Sequence, residues 1–388
     1  MKERNDTHKF RKYDILLTGY RALKQRFLNK NRYSFFLIIL LTVLFSCKQK
    51  NETTKLIKTD TYETNTNSYR IMFYNVENLF DTADDPEKND EEFTPNGARF
   101  WTEARLRAKL NNIYKVITAV GAWDNPMLIG MSEVENRKVL EDLVNKTPLY
   151  KSNYKIVHYE SPDLRGIDVA MLYRADLFKP YFSKPIPVNW PPKVGTGKTR
   201  DILLVSGVTK SDDTLHIFVN HWPSRWGGQM ETEEKRMYVA ELVKKQTDSI
   251  FRNESKANII IMGDLNDYPT DKSLMESLKA QTQFVQIENN KLYNLSWYLQ
   301  EIKREGTHKY DGLWGILDQM IVSGALLDKE NNIYTTTEDA HVFKAPFLLE
   351  PDEKYTGDQV NRTYIGFKYH GGYSDHLPVY LDLKLNKK

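Results

Sequence analysis

The stretch Ile259-Ile260-Ile261-Met262-Gly263-Asp264-Leu265-Asn266-Asp267 decides how the chain reads. Three β-branched residues and a methionine make a continuous apolar run, the pattern of a strand whose sheet is covered on both faces. The run stops at Gly263 and delivers Asp264 and Asn266 past its C-terminal edge. Two side-chain oxygens at i and i+2 converge if the chain turns there, and a divalent cation that prefers oxygen ligands suits such a point. Gly, Asp and Asn are also the ordinary residues of a turn. The partners supplied by other stretches decide between the two readings.

Upstream, Thr214 to Val219 predicts a strand that runs into Asn220-His221-Trp222-Pro223-Ser224-Arg225-Trp226, and an amphipathic helix follows from about Thr232 to Phe251. Ile202 to Val208, led in by Thr199-Arg200, predicts another strand, and the Pro- and Lys-rich Pro180 to Lys198 predicts a loop. Nearer the N-terminus, Tyr69 to Val76 reads as a strand ending on Asn75, and Pro126 to Glu133 as a strand ending on a carboxylate. Helical spacing from Trp101 to Val120 and from Asn136 to Leu149 places helices after these strands. Tyr154 to Tyr159 and Ile167 to Tyr173 predict a strand pair with Asp168 at the start of its second member. Downstream, Asp318 interrupts the apolar run Ile316 to Val322, and Ser374-Asp375-His376-Leu377-Pro378 opens a closing strand, Val379 to Leu383. Strands are separated by helices early and by loops later, which predicts two sheets packed face to face with helices outside.

The formal charge of +3 is unevenly spread. Residues 1–46 hold ten Lys/Arg against three Asp/Glu, a net +7, so the remainder carries −4. A mildly acidic body exerts no general pull on nucleic acid, and any polyanion contact has to be local. The basic stretch precedes thirteen residues, Tyr33 to Phe45, which suit a signal-peptide core and fall short of the roughly 20 that span a bilayer. Leu44-Phe45-Ser46-Cys47 resembles a bacterial lipobox, with the only cysteine of the chain as the acylated residue. Expected from this are a lipoprotein signal peptide over 1–46, a polar flexible tether over 47–68 and a globular domain over 69–388. The expected location is the cell envelope, lipid-anchored outside the cytoplasm at the periplasmic face or cell surface. Nothing in the sequence calls for an obligate protein partner.

Polar groups thus gather at predicted strand ends: Asn75, Glu133, Asn220-His221, Asp264 with Asn266, and Asp375-His376, with Asp318 inside a strand. A lone carboxylate in an apolar strand is costly unless paired. His376 is the expected partner of Asp318, and Asp168 a parallel partner for His221. Singly, each has an ordinary structural explanation. In this order they resemble the endonuclease/exonuclease/phosphatase superfamily, most specifically through Gly263-Asp264-Leu265-Asn266 and Ser374 to Pro378, over about Tyr69 to Leu385.

The resemblance implies a four-layer α/β sandwich with two central, mostly antiparallel sheets and helices outside. It implies Glu133 as metal-binding glutamate with Asn75 beside it, Asp375 as a further ligand, and Mg²⁺ or Mn²⁺ as the cation, with Ca²⁺ a third candidate. His221, Asp264, Asn266 and the Asp318/His376 pair are the groups expected around a scissile phosphate, and Arg200 the expected phosphate-binding arginine. Ser132 in place of the more usual Gln, and Gln319 after Asp318, leave the subclass open. The expected activity is metal-dependent phosphodiester hydrolysis, first as an extracytoplasmic nuclease, since Trp222 and Trp226 flank Arg225 where they either stack on bases or cap the sandwich edge. An inositol-phosphate or nucleotide phosphatase, a sphingomyelinase-like hydrolase, and a surface lipoprotein that binds without catalysis are the alternatives.

Overall fold

In the computed structural model, which describes residues 68–386, the apolar runs form two seven-stranded sheets. The signal segment, Cys47 and all but the last residue of the expected tether lie outside the described residues. The first half of the chain supplies β1 (Ser68–Leu79), α1 (Glu103–Gly121), β2 (Leu128–Val134), α2 (Arg137–Lys146), β3 (Tyr154–His158) and β4 (Asp168–Arg174). Then come β5 (Phe178–Ile186), β6 (Ile202–Thr209), β7 (Thr214–His221), α3 (Gln229–Asn253) and β8 (Ile259–Asp264). Next are β9 (Ala280–Gln281), β10 (Leu292–Asn294), α4 (Leu295–Glu301), the hairpin β11 (His308–Tyr310) and β12 (Leu313–Gly315), and β13 (Asp318–Ser323). Short strands β14 (Ile333–Tyr334), β15 (Ala340–Val342), β16 (Leu349–Pro351), β17 (Asp358–Val360), β18 (Tyr364–Ile365) and β19 (Lys368–Tyr369) precede β20 (Val379–Leu385).

The first sheet runs β14-β20-β1-β2-β4-β3, with β15 also on β20, and the second runs β5-β6-β7-β8-β13-β10-β9. Pairs β1/β2, β7/β8 and β9/β10 are parallel and their neighbours antiparallel. Alternation along β8 shows why four layers form. Ile260 and Met262 face the core shared with the first sheet, whereas Ile259 and Ile261 pack with Val239, Ala240 and Val243 of α3. On the far face of the first sheet, Leu106, Leu110, Ile113 and Val120 of α1 join the larger core, as do Leu140 and Leu143 of α2. The result is the expected α/β sandwich of two mixed sheets with helices outside.

Three expectations fail locally. Pro180 to Ile186 is a strand rather than a loop, because β5 is an edge strand whose unpaired side accommodates Pro180 and Pro185, with a bulge between Pro180 and Phe182. β13 begins at Asp318 instead of containing it, since the N–H groups of Leu317 and Asp318 donate to Thr307 Oγ1 before the ladder starts. The second helix stops at Lys146, where Thr147 and Pro148 open a 3-10 turn.

Gly263 is fixed by close approach: a Cβ there would lie 2.3 Å from the Asn220 carbonyl oxygen across the β7/β8 ladder. Backbone cannot yield as a flexible side chain does, so Gly263→Ala should force β7 and β8 apart and destabilise the fold by about 1–3 kcal/mol. Urea unfolding followed by far-UV circular dichroism measures this, and an unchanged midpoint contradicts it.

Candidate active site

The ladder register assembles the site. His221, Asp264 and Asp318 are directly opposite one another across β7, β8 and β13, at one end of the second sheet. In the first sheet Asn75 pairs with Ser132, after which the ladder resumes only at Leu79 and Val134. Glu133 is therefore bulged out opposite Val76, Glu77 and Asn78. Glu77, Asn78, Glu133 and Asn266 all take left-handed backbone, with φ of 50°, 55°, 61° and 52°. Each such non-glycine residue costs on the order of 1 kcal/mol or more, and such strain gathers where a side chain must be aimed. Here it turns two glutamates out of the ladder.

Asn75 joins the two sheets. Its Nδ2 donates to Asp264 Oδ2 at 3.1 Å and lies 3.5 Å from Glu133 Oε1, while its Oδ1 accepts from the Glu77 N–H. Glu133 Oε2 accepts from the Asn78 N–H, and Asp264 Oδ1 from the Asn266 N–H. His221 Nε2 and His376 Nε2 stand 3.7 and 3.8 Å from Asp264 Oδ2. His376 Nδ1 lies 2.7 Å from Asp318 Oδ2, the pairing the sequence called for, with Asp318 fully buried. The loop before β20 is held by Ser374 Oγ, which donates to the Asn75 carbonyl.

Burial and charge push these groups apart. Burial raises the Asp264 carboxyl to about 7, with His376 working against the rise and Asp318 adding to it. Burial opposes a charge on His376, but Asp318, Asp264 and Asp375 outweigh it and hold the ring well above the usual imidazole range. His221 goes well below that range, through burial and the nearby charges of Arg200, Arg165 and His376. Near neutral pH the site thus combines a protonated His376, a neutral His221 and an Asp264 poised between its two forms. Burial pushes the Asp375 carboxyl up, but His376, Arg362, His308 and Lys109 outweigh it and draw the group down to about 2.

The remaining expected residues are placed as follows. Asp168 does not reach His221; its Oδ2 is 3.2 Å from His158 Nε2 and its Oδ1 accepts from the Ser161 N–H, because β4 starts beside the end of β3. Trp222 is fully buried, its Nε1 donating to Asn220 Oδ1, so it caps the sandwich edge and cannot stack on a base. Trp226 is 89% exposed, whereas Arg225 is tied to Asp267 and Asp271. Arg200 is buried behind His221, with Nη2 on the Trp222 carbonyl and Nη1 on Asp163. Both ends of the Asn75 amide are engaged, so it connects the two carboxylates, and its Oδ1, which accepts one N–H, keeps a second lone pair.

Sequence reasoning missed Glu77, Lys109, His308 and Arg362. Glu77 is the bulge's second carboxylate, and Arg362 bridges it to Asp375. Lys109 projects from α1 to Thr363 Oγ1 and the Tyr373 carbonyl, and burial lowers it to about 8. His308, on the β11 hairpin, sets its ring 4.9 Å from that of His376. Its i, i+1 neighbours gave no signal, and Lys109 looked like one more polar position on an amphipathic helix. Among the described residues three groups hold His and acidic ligand atoms within 4.8 Å of one another: His308/Asp375/His376, Asp264/Asp318/His376 and His158/Glu160/Asp168. Two of these belong to this site.

Residues 70–385 match the model of the endonuclease/exonuclease/phosphatase family, and the chain belongs to that family. Its members are hydrolases acting on phosphoester bonds. No curated protein matches the chain by sequence. Among solved structures, a humanized TDP2 of D. rerio is 13% identical, covering 82% of this chain and 99% of its own, with a TM-score of 0.51. A mannosyl-6-phosphatase of Bacteroides thetaiotaomicron is 17% identical over 81% of this chain and 99% of its own, with a TM-score of 0.50. The human Nocturnin catalytic domain is 17% identical over 82% and 95%, with a TM-score of 0.48. The likeness to the TDP2 and mannosyl-6-phosphatase structures shows the fold.

Asp318 and His376 should behave as one unit in hydrolysis. His376→Ala should cost about 3–4 kcal/mol in kcat/KM, the scale of a lost donor to developing negative charge. Asp318→Asn should cost much of the same energy and add little once His376 is gone. Because Asp318 holds the ring protonated, its removal should also move the alkaline fall of activity to lower pH. Simple addition of the two losses, with no displacement of the alkaline limb, means the two residues work independently.

Proposed function

We propose that the protein is a metal-dependent phosphodiester hydrolase, a nuclease held outside the cytoplasm by a lipid on Cys47. The observation that carries the activity is the meeting of Glu133, Asp264 and the Asp318–His376 pair around Asn75 at the ends of both sheets. A divalent cation fits the donor set. Glu133 and Asp375 offer carboxylate oxygens, and Asp375 Oδ1 is buried with no hydrogen-bond partner. Bound there, the cation supplies Lewis-acid neutralisation of charge on the phosphoryl oxygens.

The chain's own groups supply the rest. Asp264, near neutral in pKa, orients and deprotonates the attacking water. Protonated His376 donates to a non-bridging oxygen where charge develops, with its ring fixed by Asp318. Asn75 holds Asp264 and Glu133 at their mutual distance. Asn266, in left-handed backbone and buried beside Asp264, donates one amide N–H to the Trp222 carbonyl and has a second to offer. Exposed Trp226 remains as a surface on which a base can stack. A phosphatase acting on small phosphorylated solutes is the second reading, favoured by the buried Trp222, the engaged Arg225 and the net −4 of the body.

Hydrolysis of plasmid DNA, RNA, inositol phosphates and sphingomyelin, each with Mg²⁺ or Mn²⁺ and with excess EDTA, tests both readings. Nucleic acid should be cleaved only with the cation, and Glu133→Ala should lower kcat/KM by about 10²–10³-fold or more. Full activity in EDTA refutes the cation-dependent mechanism, and turnover of inositol phosphates alone transfers the assignment to the second reading.

Anchoring is tested separately. A radioactive fatty acid should label the wild-type protein in cells and leave Cys47→Ser unlabelled. A wild-type protein released without label overturns lipidation.

A further inference from the structure

The Glu77–Arg362–Asp375 bridge joins the cation site to a residue no expectation covered. Arg362 Nη2 lies 3.0 Å from Glu77 Oε1 and 3.0 Å from Asp375 Oδ2, and its Nε donates to Glu77 Oε1 at 3.1 Å. The guanidinium therefore spans two carboxylates in the same cluster as Glu133. Asp375 still has one oxygen, Oδ1, without a partner.

His376 and His308 face Asp375 alone, whereas Lys109 and Arg362 serve both acids, and these two differ in freedom. Lys109 is 1% exposed and fixed to Thr363 Oγ1 and the Tyr373 carbonyl. The Arg362 side chain is 41% exposed. Its neighbouring backbone is held without it, because the Thr363 N–H donates to Glu77 Oε2 at 2.7 Å and Lys109 clamps Thr363 to Tyr373. The guanidinium can swing out while the loop between β17 and β20 stays in place. Two carboxylates accept a divalent cation in exchange for a guanidinium with a gain in local positive charge. The released fork matches the paired oxygens of a phosphate.

We propose that Arg362 is a resident counter-ion: it occupies the Glu77–Asp375 pair until a divalent cation arrives, yields to it, and then binds the substrate's phosphate. The inference rests on the cation-dependent reading above and adds a phosphate-binding residue to it. A fixed structural salt bridge makes the opposite prediction, since loss of Arg362 would then loosen the carboxylates and weaken cation binding.

The test uses the full chain in detergent, stripped with EDTA. Calorimetric titration with Mn²⁺ should show Arg362→Gln binding about tenfold more tightly than wild type, the scale of one charge-assisted hydrogen bond. Arg362→Lys, which retains the charge, should stay near the wild-type value. In the Mn²⁺-loaded protein, inorganic phosphate should bind about tenfold more weakly to Arg362→Gln. Mg²⁺ titration of ¹⁵N-labelled wild type gives a readout that needs no folded neutral variant: the Arg362 Nε–H resonance, assigned with Arg362→Lys, should shift. Wild type that binds Mg²⁺ by calorimetry with an unmoved Nε–H resonance, or an Arg362→Gln of unaltered melting temperature with equal or weaker Mn²⁺ affinity, overturns the proposal alone. Absence of Mn²⁺ binding in wild type and both variants refutes the cation site itself.

Discussion

One amide fixes the relation between the two sheets where it matters. Asn75 ends the ladder of the first sheet and donates to Asp264 at the end of the second, while standing against Glu133. Asp264 is 2% exposed, so its carboxylate has lost water and depends on these contacts. Placing such a group between two sheets requires the sheets to be held at a set distance. The core does this: Gly130 sits against Met262 and Phe73, and a Cβ there would come within 2.8 Å of the methionine's terminal methyl. The polar end and the apolar middle of the sandwich thus constrain one another.

Behind the site, a second buried charge pair anchors the loop that follows β8. Arg236 of α3, fully buried, places Nε 2.7 Å from Asp267 Oδ1, and Asp267 Oδ2 accepts from Ser273 Oγ. Replacing such a pair with apolar residues often leaves stability unchanged, whereas removing one partner costs several kcal/mol. Its service here is positional. It holds the helix against the turn that presents Asn266, so the outer layer contributes to the cleft without touching it.

The layers and most strands were legible because burial writes them directly into the sequence. The Ile259–Asp264 run, the periodicity of α1 and the polar residues at strand ends follow from period and position alone. What stayed hidden depends on backbone conformation or on partners far apart in the chain. Nothing in Asn75-Val76-Glu77-Asn78 announces that three residues will bulge opposite Glu133, since left-handed backbone in non-glycine residues is imposed by the surroundings. The β3/β4 pair is legible in the sequence, but not the register that sets Asp168 beside His158 instead of His221. The prolines of β5 disguised a strand that only an edge position permits. Arg362 lies in a segment of two-residue strands with no pattern to read.

β1 carries one more consequence through its direction. It runs from Ser68 toward Asn75, and β20 returns antiparallel beside it, so Ser68 pairs with Lys384 at the end of the sheet remote from the site. The first and last strands of the domain therefore leave the fold side by side, about seven residue steps, or ~23 Å, from Asn75 and the polar cluster around it. A load that pulls the two termini apart therefore peels this ladder open from the Ser68–Lys384 end, one bond at a time, instead of shearing it along its length.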